Sequence, residues 1–173
     1  MNLEKFPKII KFEDAGYGCI FMATAGDSDV FYATKAHGYE NEKKIDLLIC
    51  LGPFPHKERN VSAPCIYFPS VLRGKPVLDM NEQLQIVPSQ KSSDMEALNW
   101  PQPGSLIYVE GSTFMALEKM GLAQGQPYLN LDTGTVTFGM EAPFGYVIKR
   151  WTLQTVETFS PQVLVSCASG KTQ

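Results

Sequence analysis

The sequence predicts a mainly β protein, a β-rich chain whose antiparallel strands form a sandwich or a partly open barrel with two short peripheral helices. The first observation behind this prediction is the high content of residues that interrupt helices and strands, with 14 Gly and 12 Pro in 173 residues. The second is that the short segments between these breaks are rich in valine, isoleucine, tyrosine, phenylalanine and threonine, which is typical of strands. Many short strands with turn residues between them are typical of antiparallel sandwiches and barrels.

The most apolar run of the chain covers residues 44–51, and it predicts a central strand that is buried on both faces. A triplet further on, Asp132-Thr133-Gly134, resembles the active-site triplet of aspartic proteases, whose chemistry needs two such carboxylates. This chain has one copy, and Asp-x-Gly is common in hairpins, so a turn is predicted there. The other predicted strands are 17–24, 29–35, 64–68, 76–80, 84–87, 105–110, 127–131, 135–140, 145–156 and 162–168.

Two short helices are predicted from their capping residues. Ser93 and Glu96 have the spacing of a capping box, which opens a helix over residues 95–99. Ser112 is placed to cap a second helix over residues 113–120. Apolar side chains three residues apart in the second segment predict that this helix lies against the sheet.

The length of 173 residues predicts a single globular domain over residues 1–173. Residues 90–104 end in Pro-Gln-Pro-Gly and are expected to form a loop or internal linker. Residues 169–173 are expected to be a frayed C-terminal tail, because they are polar and follow the last predicted strand. The oligomeric state is left open by the sequence.

Charge and hydropathy exclude several classes of partner. Fifteen Lys and Arg stand against 18 Asp and Glu, so the dense positive field needed for nucleic-acid binding is missing. The longest apolar run, residues 47–51, is too short to cross a membrane. Charged residues interrupt the N-terminal segment, and without a secretory signal we expect the protein to be cytoplasmic.

The four cysteines are expected to be reduced thiols in the core. Each lies in an apolar stretch, where a free cysteine behaves as a small buried hydrophobic residue. No Cys-x-x-Cys or His-x-x-x-His spacing occurs, so neither a metal site nor a cofactor is predicted. The four positions are Cys19, Cys50, Cys65 and Cys167.

The loop of residues 52–60 is the candidate ligand site. It follows the buried strand, and its prolines restrict the backbone. His56 is the residue there that titrates near neutrality, while Lys57 and Arg59 supply positive charge for a small anionic ligand. Solvated side chains with no ligand are the alternative interpretation of the same loop.

Function is therefore predicted only by class. A binding or protein-interaction module is favoured, because a small acidic chain without catalytic motifs is suited to surface recognition. Trp100, in the proline-containing segment, is a candidate for contact with a protein partner. The alternative is a small-molecule-binding protein or an enzyme with its site around the loop of residues 52–60.

Overall fold

The computed structural model describes residues 7–25, 29–53, 63–67, 69–97, 101–118, 125–139, 145–156 and 160–168. It confirms a mainly β protein with antiparallel sheets that do not close into a barrel. Within these ranges no helix reaches seven residues. The turns that are helical are short 3-10 segments at Phe12–Asp14, Pro69–Val71 and Ser92–Asp94.

Fifteen strands follow one another along the described residues. In chain order they are β1 (Lys8–Lys11), β2 (Ile20–Ala25), β3 (Asp29–Glu40), β4 (Lys43–Gly52), β5 (Cys65–Tyr67), β6 (Pro76–Asp79), β7 (Leu84–Pro88), β8 (Met95–Ala97), β9 (Leu106–Val109), β10 (Ser112–Ala116), β11 (Pro127–Asn130), β12 (Val136–Phe138), β13 (Tyr146–Ile148), β14 (Arg150–Thr155) and β15 (Val163–Ala168).

These strands form three sheets, which we number by chain order. The first sheet has six strands in the order β1-β6-β2-β3-β4-β5. The second also has six, in the order β12-β11-β10-β9-β13-β8, and the third has three, in the order β15-β14-β7. The segment predicted as one long strand, residues 145–156, is divided at Lys149 into β13 of the second sheet and β14 of the third.

The buried strand predicted over residues 44–51 is confirmed as β4, which lies between β3 and β5. Its second half is buried on both faces, because successive side chains of a strand point to opposite sides. Leu48 and Cys50 pack into one apolar cluster, and Ile49 and Leu51 pack into another. The first half, from Lys43 to Asp46, is largely exposed.

The larger of these clusters, called the shared core below, holds all three sheets together. The first sheet contributes Ile49 and Leu51, the second contributes Leu106 and Leu129, and the third contributes Trp151. The Trp151 indole Nε1 also donates a hydrogen bond of 2.7 Å to the carbonyl oxygen of Gly104, so its polar atom is satisfied in the core. The remaining buried members are Ile20, Ala36, Leu84, Met115, Leu117, Val136, Leu153 and Cys167.

The second core covers the opposite face of the first sheet. Phe12 and Leu72, from segments outside the strands, pack there on residues of β2, β3 and β4. Phe12 also contacts Phe21 edge to face, with ring centroids 5.8 Å apart. The first sheet is therefore the central layer of the structure, with apolar packing on both sides.

Both predicted helices are wrong where the structure describes them. Residues 112–116 form β10, which pairs with β9 and β11, because alternation places Met115 in the shared core and Ala116 in a third small cluster. Residues 95–97 form β8, which pairs with β13. Pairing with neighbouring strands outweighed the local capping signals in both segments.

The cysteine prediction is confirmed. None of the four cysteines is in a disulfide, and three of them, Cys50, Cys65 and Cys167, are buried. Burial raises the pKa of the Cys50 thiol to about 12 and that of Cys167 to about 11. Both therefore remain protonated at neutral pH and behave as small core side chains.

Replacing Leu48 with alanine is expected to lower the free energy of unfolding by about 2–5 kcal/mol, because truncating a fully buried leucine leaves a cavity. Leu48→Asp is expected to prevent folding, since its carboxylate would be buried without a partner. Urea denaturation measures the first effect, and Lys43→Ala, exposed on the same strand, is the control that stays within about 0.5 kcal/mol of wild type. Wild-type stability of Leu48→Ala would contradict the assignment of β4 to the interior.

Candidate functional site

A cavity of about 390 Å³ lies in the shared core, where the three sheets meet. Exposed residues are part of its lining, so it is a pocket that opens to solvent and not an enclosed void within the close-packed interior. It falls within the volume range of small-molecule pockets. The aliphatic side chains that line it come from all three sheets and are Ile20, Leu51, Ile86, Leu106, Leu129, Leu131 and Ile148.

Small residues leave this space unfilled. Gly18 borders the cavity from the turn before β2, Thr34 borders it from β3 of the first sheet, and Thr113 borders it from β10. Thr34 is on β3, and the alternation of that strand points its side chain toward the shared core with Ala36. A larger aliphatic residue at any of these positions would occupy part of the volume.

Thr34 also supplies an unsatisfied polar atom. Its side chain is 3% exposed, and its Oγ1 has no hydrogen-bond partner among the residues that the structure describes. A buried hydroxyl without a partner is unfavourable by about 1–3 kcal/mol, so most such groups in proteins are paired. Because Oγ1 has almost no accessible surface, it is a buried polar atom behind the cavity wall and not a group that the cavity presents to a ligand.

The mouth of the cavity is polar. Tyr108 and Asp132 line the cavity and are exposed, and both are neighbours of Thr113. Tyr108 lies opposite Thr113 in the β9–β10 ladder, and the Thr113 backbone N–H donates a hydrogen bond of 3.2 Å to Asp132 Oδ2. Among the described lining residues there is no lysine, arginine or histidine, and Asp132 is the one carboxylate.

The turn that carries Asp132 is tightly held. The backbone N–H groups of Asp132 and Thr133 donate to Asn130 Oδ1 at 2.9 and 3.0 Å, which is an Asx-type arrangement. Gly134 has φ +68°, and an added Cβ would lie 2.7 Å from the backbone nitrogen of Gly18. The sequence prediction of a turn at residues 132–134 is confirmed, since this turn joins β11 to β12.

A tyrosine pair extends the cavity wall toward solvent. Tyr146 on β13 lies directly opposite Tyr108 on β9, and the two side chains are 63% and 48% exposed. Ile148 and Leu106, two residues along each strand and on the same face, line the cavity. This face of the second sheet therefore changes from buried aliphatic to exposed aromatic side chains along its length.

A separate polar cluster lies on the opposite face of the first sheet, around the carboxylate of Asp46. The Tyr17 hydroxyl donates to Asp46 Oδ1 at 2.7 Å, and Lys35 Nζ lies 3.5 Å from Oδ2. Lys35 Nζ also donates to the Glu13 carbonyl oxygen at 2.8 Å, which satisfies a largely buried ammonium group. The hydrogen bond to Asp46 raises the pKa of Tyr17 above its usual value, because ionisation of the phenol would break it.

His37 belongs to this polar cluster and connects it to the turn at the cavity mouth. Its backbone N–H donates to the Gly134 carbonyl oxygen at 2.8 Å, and its Nε2 lies 3.2 Å from Thr135 Oγ1. Its Nδ1 is buried without a partner among the described residues. Desolvation lowers the pKa of His37, the nearby Lys44 lowers it further, and Asp46 acts in the opposite direction.

A groove of about 410 Å³ lies on the third sheet, beside the buried carboxylate of Asp94. Asp94 accepts a hydrogen bond from Ser89 Oγ at 2.5 Å, and Arg150 Nε lies 3.5 Å from its other oxygen. The side chain of Arg150 is mostly exposed, so its ion pair contributes little to stability. The charged groups of this groove are therefore arranged around an internal carboxylate.

The site residues predicted from the sequence lie outside the described residues. This holds for His56, Lys57 and Arg59 and also for Trp100, so the predictions for them stay predictions. The strand that leads into the predicted loop does contribute to the cavity through Leu51. No local signal marks the cavity itself, because its lining is distributed over three sheets.

No protein-family model, no curated protein and no solved structure gives a significant match to this chain. In the described part of the chain, His, Cys, Asp and Glu side chains form no group of three that could hold a metal ion. The described residues also include no helix with the length and apolarity needed to cross a bilayer. The functional argument therefore rests on the geometry of the cavity and its mouth.

The stability of the protein is expected to fall as the pH drops below neutrality, in part because of His37. Its pKa in the folded state is below the unfolded value of about 6.5, so between these values the unfolded chain binds more protons and is favoured. His37→Gln removes this contribution. Urea denaturation at about pH 7.5 and about pH 5.5 should show a smaller loss for His37→Gln than for wild type.

The control for this measurement is Thr137→Gln, which places the same amide at an exposed, non-titrating position of β12. It is expected to keep the wild-type difference between the two pH values, because it removes no titrating group. Equal losses in wild type and His37→Gln would contradict the desolvated placement of His37.

Proposed function

We propose that this protein is a binding module for a small, largely apolar molecule that occupies the cavity between the three sheets. The observation that carries this proposal is the cavity itself, about 390 Å³ of space lined by seven aliphatic side chains from all three sheets. A ligand of matching size would fill the space that the side chains leave open.

Energetics support binding at this place. Apolar surface removed from water contributes about 25 cal/mol per Å², so contact with seven aliphatic side chains favours the binding of an apolar ligand. The wall belongs to paired strands, so little ordering entropy is lost on binding. Micromolar affinity is within the range that such a pocket supports.

The composition of the cavity favours binding over catalysis. Covalent catalysis needs a nucleophile with an adjacent base. The described lining residues provide hydroxyls and a single carboxylate, and no thiol, imidazole or amine. A reaction that uses Asp132 alone would lack the second acid–base group that hydrolytic chemistry at carboxylates normally requires.

A protein partner is the second candidate, and the exposed tyrosine pair favours it. Tyrosine is enriched at interfaces, where it offers a large apolar area with a polar tip. Tyr108 and Tyr146 are adjacent and exposed, and Trp100 remains a proposed contact in the same role.

A small anionic group at His56, Lys57 and Arg59 also remains a proposal, which the charges of that loop support.

The absence of disulfides among the four cysteines supports a cytoplasmic location for this protein. Cys50 and Cys65 lie opposite each other on β4 and β5, and neither is in a disulfide. Directly opposed cysteines on paired strands have Cα atoms close enough for a disulfide in many geometries. Thiols that are not oxidised to a disulfide in such a position are suited to a reducing compartment.

A fluorescent apolar probe tests the proposed cavity. N-phenyl-1-naphthylamine is neutral and largely apolar, as the proposed ligand is. We expect saturable micromolar binding to wild type with enhanced fluorescence, because the probe leaves water for an apolar wall. Thr113→Trp, which places a large ring at the mouth, should weaken binding by about tenfold or more through steric exclusion.

Thr137→Trp is the matched control, because Thr137 is exposed on β12 of the same sheet and does not line the cavity. It should bind the probe as wild type does. Circular dichroism of both variants checks that they are folded. Equal binding by Thr113→Trp and Thr137→Trp, or no saturable binding by wild type, would rule out the cavity as the site.

A further inference from the structure

We infer that the ligand carries a positively charged ammonium group, which lies at the cavity mouth against Asp132, with its apolar body inside the cavity. This inference rests on the proposed function, since it concerns the chemical class of the molecule that the same cavity takes. It differs from the anionic ligand expected at the loop of residues 52–60.

The charge of the described part of the cavity wall disfavours an anionic head group. The described lining contains one ionisable carboxylate, Asp132, and no basic side chain. Glu110 lies two residues beyond Tyr108, in the turn before β10, and adds a second exposed carboxylate near this end of the second sheet. A carboxylate or phosphate at the mouth would have no counter-charge among the described lining residues, whereas an ammonium group would have Asp132.

Asp132 is held in place before any ligand binds. One of its carboxylate oxygens, Oδ2, accepts the Thr113 backbone N–H, and its own backbone N–H donates to Asn130 Oδ1. Both contacts restrain the carboxylate at the edge of the cavity. Its other oxygen has no described protein donor, so it is available to an ammonium group with little loss of side-chain entropy.

The neighbouring aromatic rings favour the same head group. Tyr108 lines the mouth and pairs with Tyr146 across the β9–β13 ladder. A ligand cation over the face of a tyrosine ring is attracted by the quadrupole of the ring, and this adds to the attraction of a carboxylate. An acidic side chain beside exposed tyrosines, above an aliphatic chamber, matches an amphiphilic amine at both of its ends.

Three amphiphiles with the same ten-carbon chain distinguish the contribution of the head group to binding from that of the tail. Decylamine, decanol and decanoate are each tested for displacement of N-phenyl-1-naphthylamine at neutral pH and low ionic strength, below their micelle concentrations. We expect decylamine to bind about five- to tenfold more tightly than decanoate, with decanol between them. Added salt should narrow the difference, because it screens an exposed carboxylate.

Asp132→Asn tests the role of the carboxylate directly. The amide keeps an oxygen that can accept the Thr113 N–H, so the turn retains its hydrogen bond while the charge is removed. The preference for decylamine over decanoate should then disappear, while decanol binding stays unchanged. Asp29→Asn, which removes the same charge from the exposed end of β3, is the control that keeps the preference.

The outcomes separate this inference from the function on which it rests. If decanol displaces the probe but wild type binds decylamine and decanoate equally, the ammonium inference is wrong and the apolar binding module stands. The same conclusion follows if Asp132→Asn keeps the wild-type preference. If neither the probe nor any of the three amphiphiles binds, the proposed function itself is overturned.

Discussion

The three sheets depend on one another for burial of their apolar faces, and the rest of the structure follows from this shared packing. A sheet of three to six short strands needs a second layer to bury its apolar face. Here the first sheet is the central layer, because β4 sends Ile49 and Leu51 to the shared core and Leu48 and Cys50 to the opposite side. The second and third sheets complete the shared core with Leu106 and Trp151.

The cavity is a consequence of how these sheets meet. Three twisted sheets that converge from different directions leave space at their junction unless large side chains fill it. This chain places Gly18, Thr34 and Thr113 at that junction, and the volume stays open. The turn that carries Asp132 then borders the opening, and through Gly134 and Thr135 it also contacts His37 on the central sheet. The proposed ligand at the mouth and the imidazole of His37 would therefore both contact one short segment of chain.

The sequence predicted those parts of the fold whose signal is local. Residues 47–51 are consecutively apolar, and such a run can be stable only where both faces of a strand are covered, as β4 shows. Asp132-Thr133-Gly134 contains a residue suited to a positive φ, so its turn was also predictable. The prediction of a helix over residues 113–120 was wrong. Ser112 and the apolar spacing fit a local helical pattern, but the segment pairs with β9 and β11, and a local pattern carries no information about such pairing.

The candidate site carried no local signal. Ile20, Leu106 and Ile148 are far apart in the sequence, and they line one cavity only because the sheets converge. The missing partner of Thr34 is equally a property of the folded chain, since any solvated threonine hydroxyl is satisfied by water. His56, Lys57 and Arg59 were chosen as a group because they are close in sequence, and their placement lies outside the described residues.

The most direct test of ligand binding at the sheet junction is a methyl NMR titration with N-phenyl-1-naphthylamine. A ligand in the cavity is predicted to shift the methyl resonances of Leu51, Leu106 and Ile148, which line it, with saturation at the same concentration for each. The methyl groups of Leu48 and Leu72, in the second core on the far side of the central sheet, should remain unchanged. Shifts confined to the second core or to surface methyl groups, with those of the cavity unmoved, would contradict a ligand site between the sheets.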